Sequence, residues 1–153
     1  MRRYLLIATA LILVVACGKD KLATKPSIKL KSTSGSFIPS GGGFSAELEF
    51  ADKEGDISNT LFIQKIRTNK KVVPTIRDTF SLEVAEFNRT SRGNIRINLS
   101  YQNHLVSAIN PPNLGGNPPV YEDDSLIIRF VLRDLGGNVS DTVSTSAIVV
   151  SRN

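Results

Sequence analysis

Phe44-Ser45-Ala46-Glu47-Leu48-Glu49-Phe50 alternates apolar and polar residues without a break. In an extended chain successive side chains point to opposite faces. Phe44, Ala46, Leu48 and Phe50 therefore share one face, and Ser45, Glu47 and Glu49 share the other. The stretch predicts a half-buried strand. Working outward, Ile95, Ile97, Leu99 and Tyr101 alternate with Arg96, Asn98 and Ser100 in the same way, and Phe80, Leu82 and Val84 form a third run. Leu126, Ile128, Phe130 and Leu132 make a fourth, whose other face carries Ile127 and Val131 and so is expected to be covered on both sides. Weaker strands are expected at Ile28–Lys31, Leu61–Arg67 and Thr142–Val150. The second of these has no clean register, because Leu61, Phe62, Ile63 and Ile66 occupy both faces. Seven short strands, turn residues between them and no helical period predict an all-β chain, a single antiparallel β-sandwich over residues 26–153.

The chain has 153 residues, 41% hydrophobic and 22% charged, with one Cys, one His and no Trp. That length suits one domain, and the sandwich region is large enough to bury a core without disulfides. The composition excludes disorder throughout and a disulfide scaffold. A zinc site of several Cys and His is excluded by count.

The first sixteen residues read as an address. Met1-Arg2-Arg3 is a basic start, and Tyr4 to Val15 is an apolar or neutral run of twelve residues ending before Ala16. A membrane-spanning helix needs about 20 such residues, so the order of features predicts a secretory leader. Val14-Val15-Ala16-Cys17 resembles the bacterial lipobox, with Val14 where Leu is most frequent. The resemblance implies a diacylglycerol thioether on Cys17, a lipidated tether over residues 17–25, and attachment to the outer membrane on its periplasmic or surface face. Removal of Arg2 and Arg3 leaves seventeen basic against fourteen acidic residues. Much of that excess, Lys19, Lys21, Lys25, Lys29 and Lys31, lies beside the anchor, as a solvated tether or against anionic head groups. With no interleaving of basic and aromatic residues, nucleic acid is not expected as a partner.

Between Gln102 and Asp124 stand Pro111, Pro112, Gly115, Gly116, Pro118 and Pro119. A loop of that length is either a binding loop or an insertion, and His104, Asn113 and Tyr121 are its candidate contact residues. Gly41-Gly42-Gly43-Phe44-Ser45-Ala46 fits a dinucleotide fingerprint in letters only, since a strand follows it where a helix is needed. Nothing in the sequence places a nucleophile near His104. Asp123 and Asp124, as strand neighbours, face opposite ways and make a poor acid–base pair. No enzyme is expected.

Two acidic clusters follow strands. Asp52-Lys53-Glu54-Gly55-Asp56 comes after the first strand discussed, and Asp134-Leu135-Gly136-Gly137-Asn138 after the fourth. Hard cations want six to eight oxygens, and Asp52, Glu54, Asp56 and Asp134 are the candidate calcium ligands. The same residues serve equally as plain turn formers. Both clusters resemble loops of immunoglobulin-like and cadherin-like modules of Bacteroidota lipoproteins, some of which bind calcium. If the seven strands run up and down in turn, both clusters end at one pole and the Pro-rich loop at the other. An extra strand at Val72–Ile76 would reverse that parity. The function expected is a non-catalytic, lipid-anchored envelope protein that presents loops to an envelope protein partner. The alternative is a glycan-binding accessory lipoprotein of a polysaccharide-uptake system, for which Tyr101 and Tyr121 are the only tyrosines after the leader.

Overall fold

The computed structural model describes residues 22–69, 77–86, 88–106 and 113–153. The leader, Cys17 and the Val72–Ile76 segment lie outside the described residues. The chain is mostly strand. In order come β1 (Ser27–Thr33), β2 (Phe37–Ile38), β3 (Gly43–Ala51), β4 (Thr60–Arg67), β5 (Arg77–Glu83), β6 (Arg92–Ser100), β7 (Asp124–Arg133), β8 (Val143–Ser144) and β9 (Ile148–Val150), with one π-helical turn at Tyr101–Leu105.

Two sheets hold these strands. The first has the order β1-β3-β6, and the second β2-β9-β7-β4-β5 with β8 also on β7. The alternating stretches lie where their pattern needs them. Phe44, Ala46, Leu48 and Phe50 of β3 are buried, as are Ile97 and Leu99 of β6 beside them. From the second sheet Leu61, Ile63, Leu126, Ile128, Phe130, Leu132, Ile148 and Val150 enter the same buried cluster, so one core serves both sheets. β7 lies inside its sheet between β9 and β4, but it is not covered on both faces as expected: Leu126, Ile128, Phe130 and Leu132 are buried, whereas Ile127 and Val131 on the other face are half-buried and Arg129 is exposed.

The structure differs from the sequence expectation in two further places. The Thr142–Val150 stretch is two short strands, because Thr145 turns inward and its hydroxyl accepts the Ile128 N–H at 3.1 Å. A two-residue strand, β2, pairs with β9 in parallel, so the second sheet is mixed rather than antiparallel. Before β1, the Ala23 carbonyl accepts the Lys53 N–H at 3.2 Å, and Pro26 is buried.

Pairing fixes the two poles. Ser27 sits opposite Ala51, and Ala51 opposite Arg92, so β1 and β6 begin where β3 ends. Thr60 sits opposite Arg133, so β4 begins where β7 ends. The Leu135 N–H donates to the Asp56 carbonyl at 3.0 Å, which joins the two turns. One pole therefore holds the chain's entry and both acidic turns. The other holds the ends of β4 and β6 and the start of β7.

Candidate functional site

At the entry pole the two acidic clusters converge. Asp52, Asp56 and Asp134 each offer a carboxylate oxygen, and these oxygens lie within 4.8 Å of one another. Asp52 and Asp134 are 0% and 1% exposed, while Asp56 is half-buried.

Each turn is built by its own first aspartate. Asp52 Oδ2 accepts the N–H of Gly55 at 2.6 Å and of Asp56 at 3.3 Å, the arrangement that short acidic side chains adopt when they close a turn. Gly55 sits at φ +68°, and a Cβ there would come within 2.9 Å of the Thr90 backbone, so glycine is needed on both counts. In the second turn Asp134 Oδ1 accepts the Asn138 N–H at 2.7 Å and Oδ2 accepts Asn138 Nδ2 at 2.9 Å. Asn59 Nδ2 donates to the Asp134 carbonyl at 2.9 Å and ties this turn to the segment before β4.

What the turns leave over is unneutralised oxygen. Asp52 Oδ1 and Asp56 Oδ1 are buried with no hydrogen-bond donor. Among the described residues no Lys or Arg forms an ion pair with any of the three carboxylates. Burial pushes the Asp52 carboxyl above its usual range, and the adjacent Asp56 charge adds to that, against the opposing pull of the Asp56 and Gly55 N–H groups. Glu54 is not part of the group. It accepts from Thr24 Oγ1 at 3.4 Å and pairs with Lys53 at 3.7 Å, since alternation within the turn sends it outward.

The candidate contact residues of the long connection lie at the opposite pole. His104 is on the π-helical turn. The Ser100 N–H, which can only donate, reaches its Nδ1 at 3.1 Å, so the neutral ring carries its proton on Nε2. The Phe80 ring lies beside it, with centroids 5.4 Å apart. Asn113 and Tyr121 face each other across a bridge that closes a small hairpin, and Asn153 grips the Tyr121 backbone from both sides at 3.0–3.1 Å. The connection thus has structure of its own at both ends, and Leu114 and Val120 stand exposed on the hairpin.

Beside that hairpin is a buried ionic cluster that sequence reasoning missed. Asp124, 0% exposed, meets Arg67 Nε at 2.9 Å and Arg152 at 2.7 Å through both Nε and an Nη. Lys65 is buried on the same strand as Arg67, 3.5 Å from Asp78, and it donates to the Leu105 carbonyl at 3.3 Å. Burial pushes the Lys65 amine below its usual range, while Asp78 and Asp124 pull it back up. The signal was present in the spacing, because Lys65 and Arg67 share the inward parity of Leu61 and Ile63, and Asp124 shares that of Leu126.

No protein-family profile and no curated protein sequence matches the chain. Among solved structures it is similar to the sporulation control protein Spo0M of Bacillus subtilis, at 12% identity and a TM-score of 0.39 over 86% of this chain and 51% of that one. It is also similar to a β-glucosidase of Listeria innocua in complex with gluconolactone, at 12% identity and TM-score 0.38, over 83% of this chain and 16% of the enzyme. A β-glucosidase of Erythrobacter marinus gives 10% identity and TM-score 0.38, over 82% and 15%. The chain thus spans about half of Spo0M and about a sixth of each enzyme. Likenesses of this strength carry neither a shared fold nor a shared activity.

Proposed function

We propose that the protein is a non-catalytic, lipid-anchored module of the cell envelope, an immunoglobulin-like sandwich that presents one pole to an envelope protein. The observation that carries this reading is the order of a basic start, a short apolar run, Ala16 and Cys17. The polarity of the fold supports it. The chain enters at the acidic pole, where Ala23 and Lys25 bond to Lys53 and Asp141. Six residues lead from Cys17 to Ala23, a reach of at most about 21 Å. The ten residues of β7 rise ~33 Å from that pole. A lipid on Cys17 holds the acidic pole near the bilayer and turns the Asn113–Tyr121 hairpin and His104 outward.

Two measurements test this on the full chain in a Gram-negative host. A fatty-acid analogue is expected to label the wild type and not Cys17→Ser, and equal labelling of both contradicts the anchor. A photocrosslinker at Val120 is expected to yield a discrete protein adduct that the same probe at Asp141 does not. Adducts from both positions alike, from neither, or to glycan alone contradict the presentation of the hairpin to a protein.

A further inference from the structure

The acidic pole carries negative charge that the described fold does not neutralise, and the oxygens left over point to a ligand. We infer that Asp52, Asp56 and Asp134 together bind one calcium ion. This site lies at the pole opposite the presented hairpin, and it stands or falls independently of the lipid anchor.

Three observations bear on it. The carboxylates come from turns 78 or more positions apart in sequence, yet an oxygen of each lies within 4.8 Å of the others. Two oxygens bound to one calcium at 2.3–2.6 Å are separated by at most about 4.6–5.2 Å, so each pair is within bridging distance of one ion, and a closing of the turns by a few tenths of an ångström brings all three into its shell. Second, Asp52 is 0% exposed and its Oδ1 has no donor, and the buried Oδ1 of Asp56 has none either. A buried carboxylate oxygen without a partner is costly, and a cation is the partner that would satisfy both at once. Third, the remaining oxygens are already fixed. Gly55, Asp56 and Asn138 hold Asp52 Oδ2 and both oxygens of Asp134 in place, so the site is largely built before the ion arrives.

The ion's size follows from the donors. Three carboxylates leave room for water to complete six to eight ligands, which calcium accepts at flexible angles. Magnesium demands an octahedron at about 2.0–2.1 Å and gives up its water reluctantly. The competing neutraliser is a proton held between Asp52 and Asp56.

Equilibrium dialysis of the full chain in detergent against radioactive calcium separates the two. The expected result is one calcium per chain with a dissociation constant of about 0.1–1 mM, and at least tenfold weaker uptake of magnesium. Asp56→Asn is expected to weaken calcium binding at least tenfold while the far-ultraviolet spectrum stays that of the wild type. Asp52→Asn should do the same, and if it does not fold, Asp56→Asn and Asp134→Asn decide. Glu54→Gln is expected to bind as the wild type does. No saturable uptake below 10 mM, or uptake unchanged by Asp56→Asn in a folded chain, overturns the site and leaves the shared proton.

Discussion

The protein buries carboxylates at both poles and treats them differently. At the far pole Asp124 lies between Arg67 and Arg152, two guanidiniums for one carboxylate. At the entry pole Asp52 lies with Asp56 and Asp134, three carboxylates with no ion pair to a Lys or Arg among the described residues. Burial is nearly complete for Asp52, Asp124 and Asp134 alike. The desolvation cost is therefore similar, and what differs is the counter-charge. Asp124 closes its balance within the chain, whereas Asp52 requires something from outside, a proton or a cation. The fold's own handling of Asp124 is the standard against which the acidic pole reads as a receptor.

Each pole can be perturbed on its own. The largest effect is expected at the far pole, where Asp124→Ala removes the buried carboxylate that Arg67 and Arg152 both meet. Removal of one partner from such a cluster costs about 3–5 kcal/mol, checked by urea unfolding; a loss below about 0.5 kcal/mol, the size of a surface change, would show that water already solvates the pair. Next in size is the change in Asp52→Asn without calcium. The amide keeps an oxygen for the Gly55 N–H and removes a buried charge beside Asp56, so in chelator this variant is expected to be more stable than the wild type, and a less stable one would mean that the charge is already compensated. Lys65→Met is smaller and shows its effect through pH. The Lys65 amine is held below 10.5 in the folded protein, so between the folded value and 10.5 the unfolded chain holds more protons and stability rises with pH. Melts of Lys65→Met should lack that alkaline gain, and an identical pH profile in both proteins would place Lys65 in water. Glu54→Gln, with its carboxylate turned outward, is expected within about 0.5 kcal/mol of the wild type.

The parts legible in the sequence were those where one physical demand acts alone. β3 and β6 carry unbroken alternation because their inward positions bury carbon, β7 does so only from Leu126 onward since its inward row opens on Asp124, and the alternating direction of the seven expected strands was enough to bring Asp52, Asp56 and Asp134 to one pole. β4 was blurred because Lys65 and Arg67 take inward positions usually held by aliphatic residues, and their compensation by Asp78 and Asp124 comes from distant parts of the chain. β2 has two residues, too few for any period, and its parallel pairing with β9 is a tertiary choice. Glu54 entered the candidate site through adjacency alone. The tight turn at Gly55 leaves Asp52 and Asp56 on one side of the chain and Glu54 on the other, a distinction that a string of acidic letters does not carry.

On the calcium proposal, the acidic pole lacks a counter-charge that the ion supplies. Thermal melts of the full chain in millimolar calcium and in chelator, beside the Asp52→Asn, Asp56→Asn double variant, test it most directly. With a dissociation constant of about 0.1–1 mM, roughly 5 mM calcium adds about 1–2 kcal/mol to stability. The wild type is expected to melt several degrees higher in calcium (about 4–8 °C per kcal/mol at T for a 60–100-residue domain, about half that for larger ones), and the double variant to melt at one temperature in both. A wild-type melt that calcium leaves unchanged, or a double variant that calcium stabilises as much as the wild type, would contradict the claim.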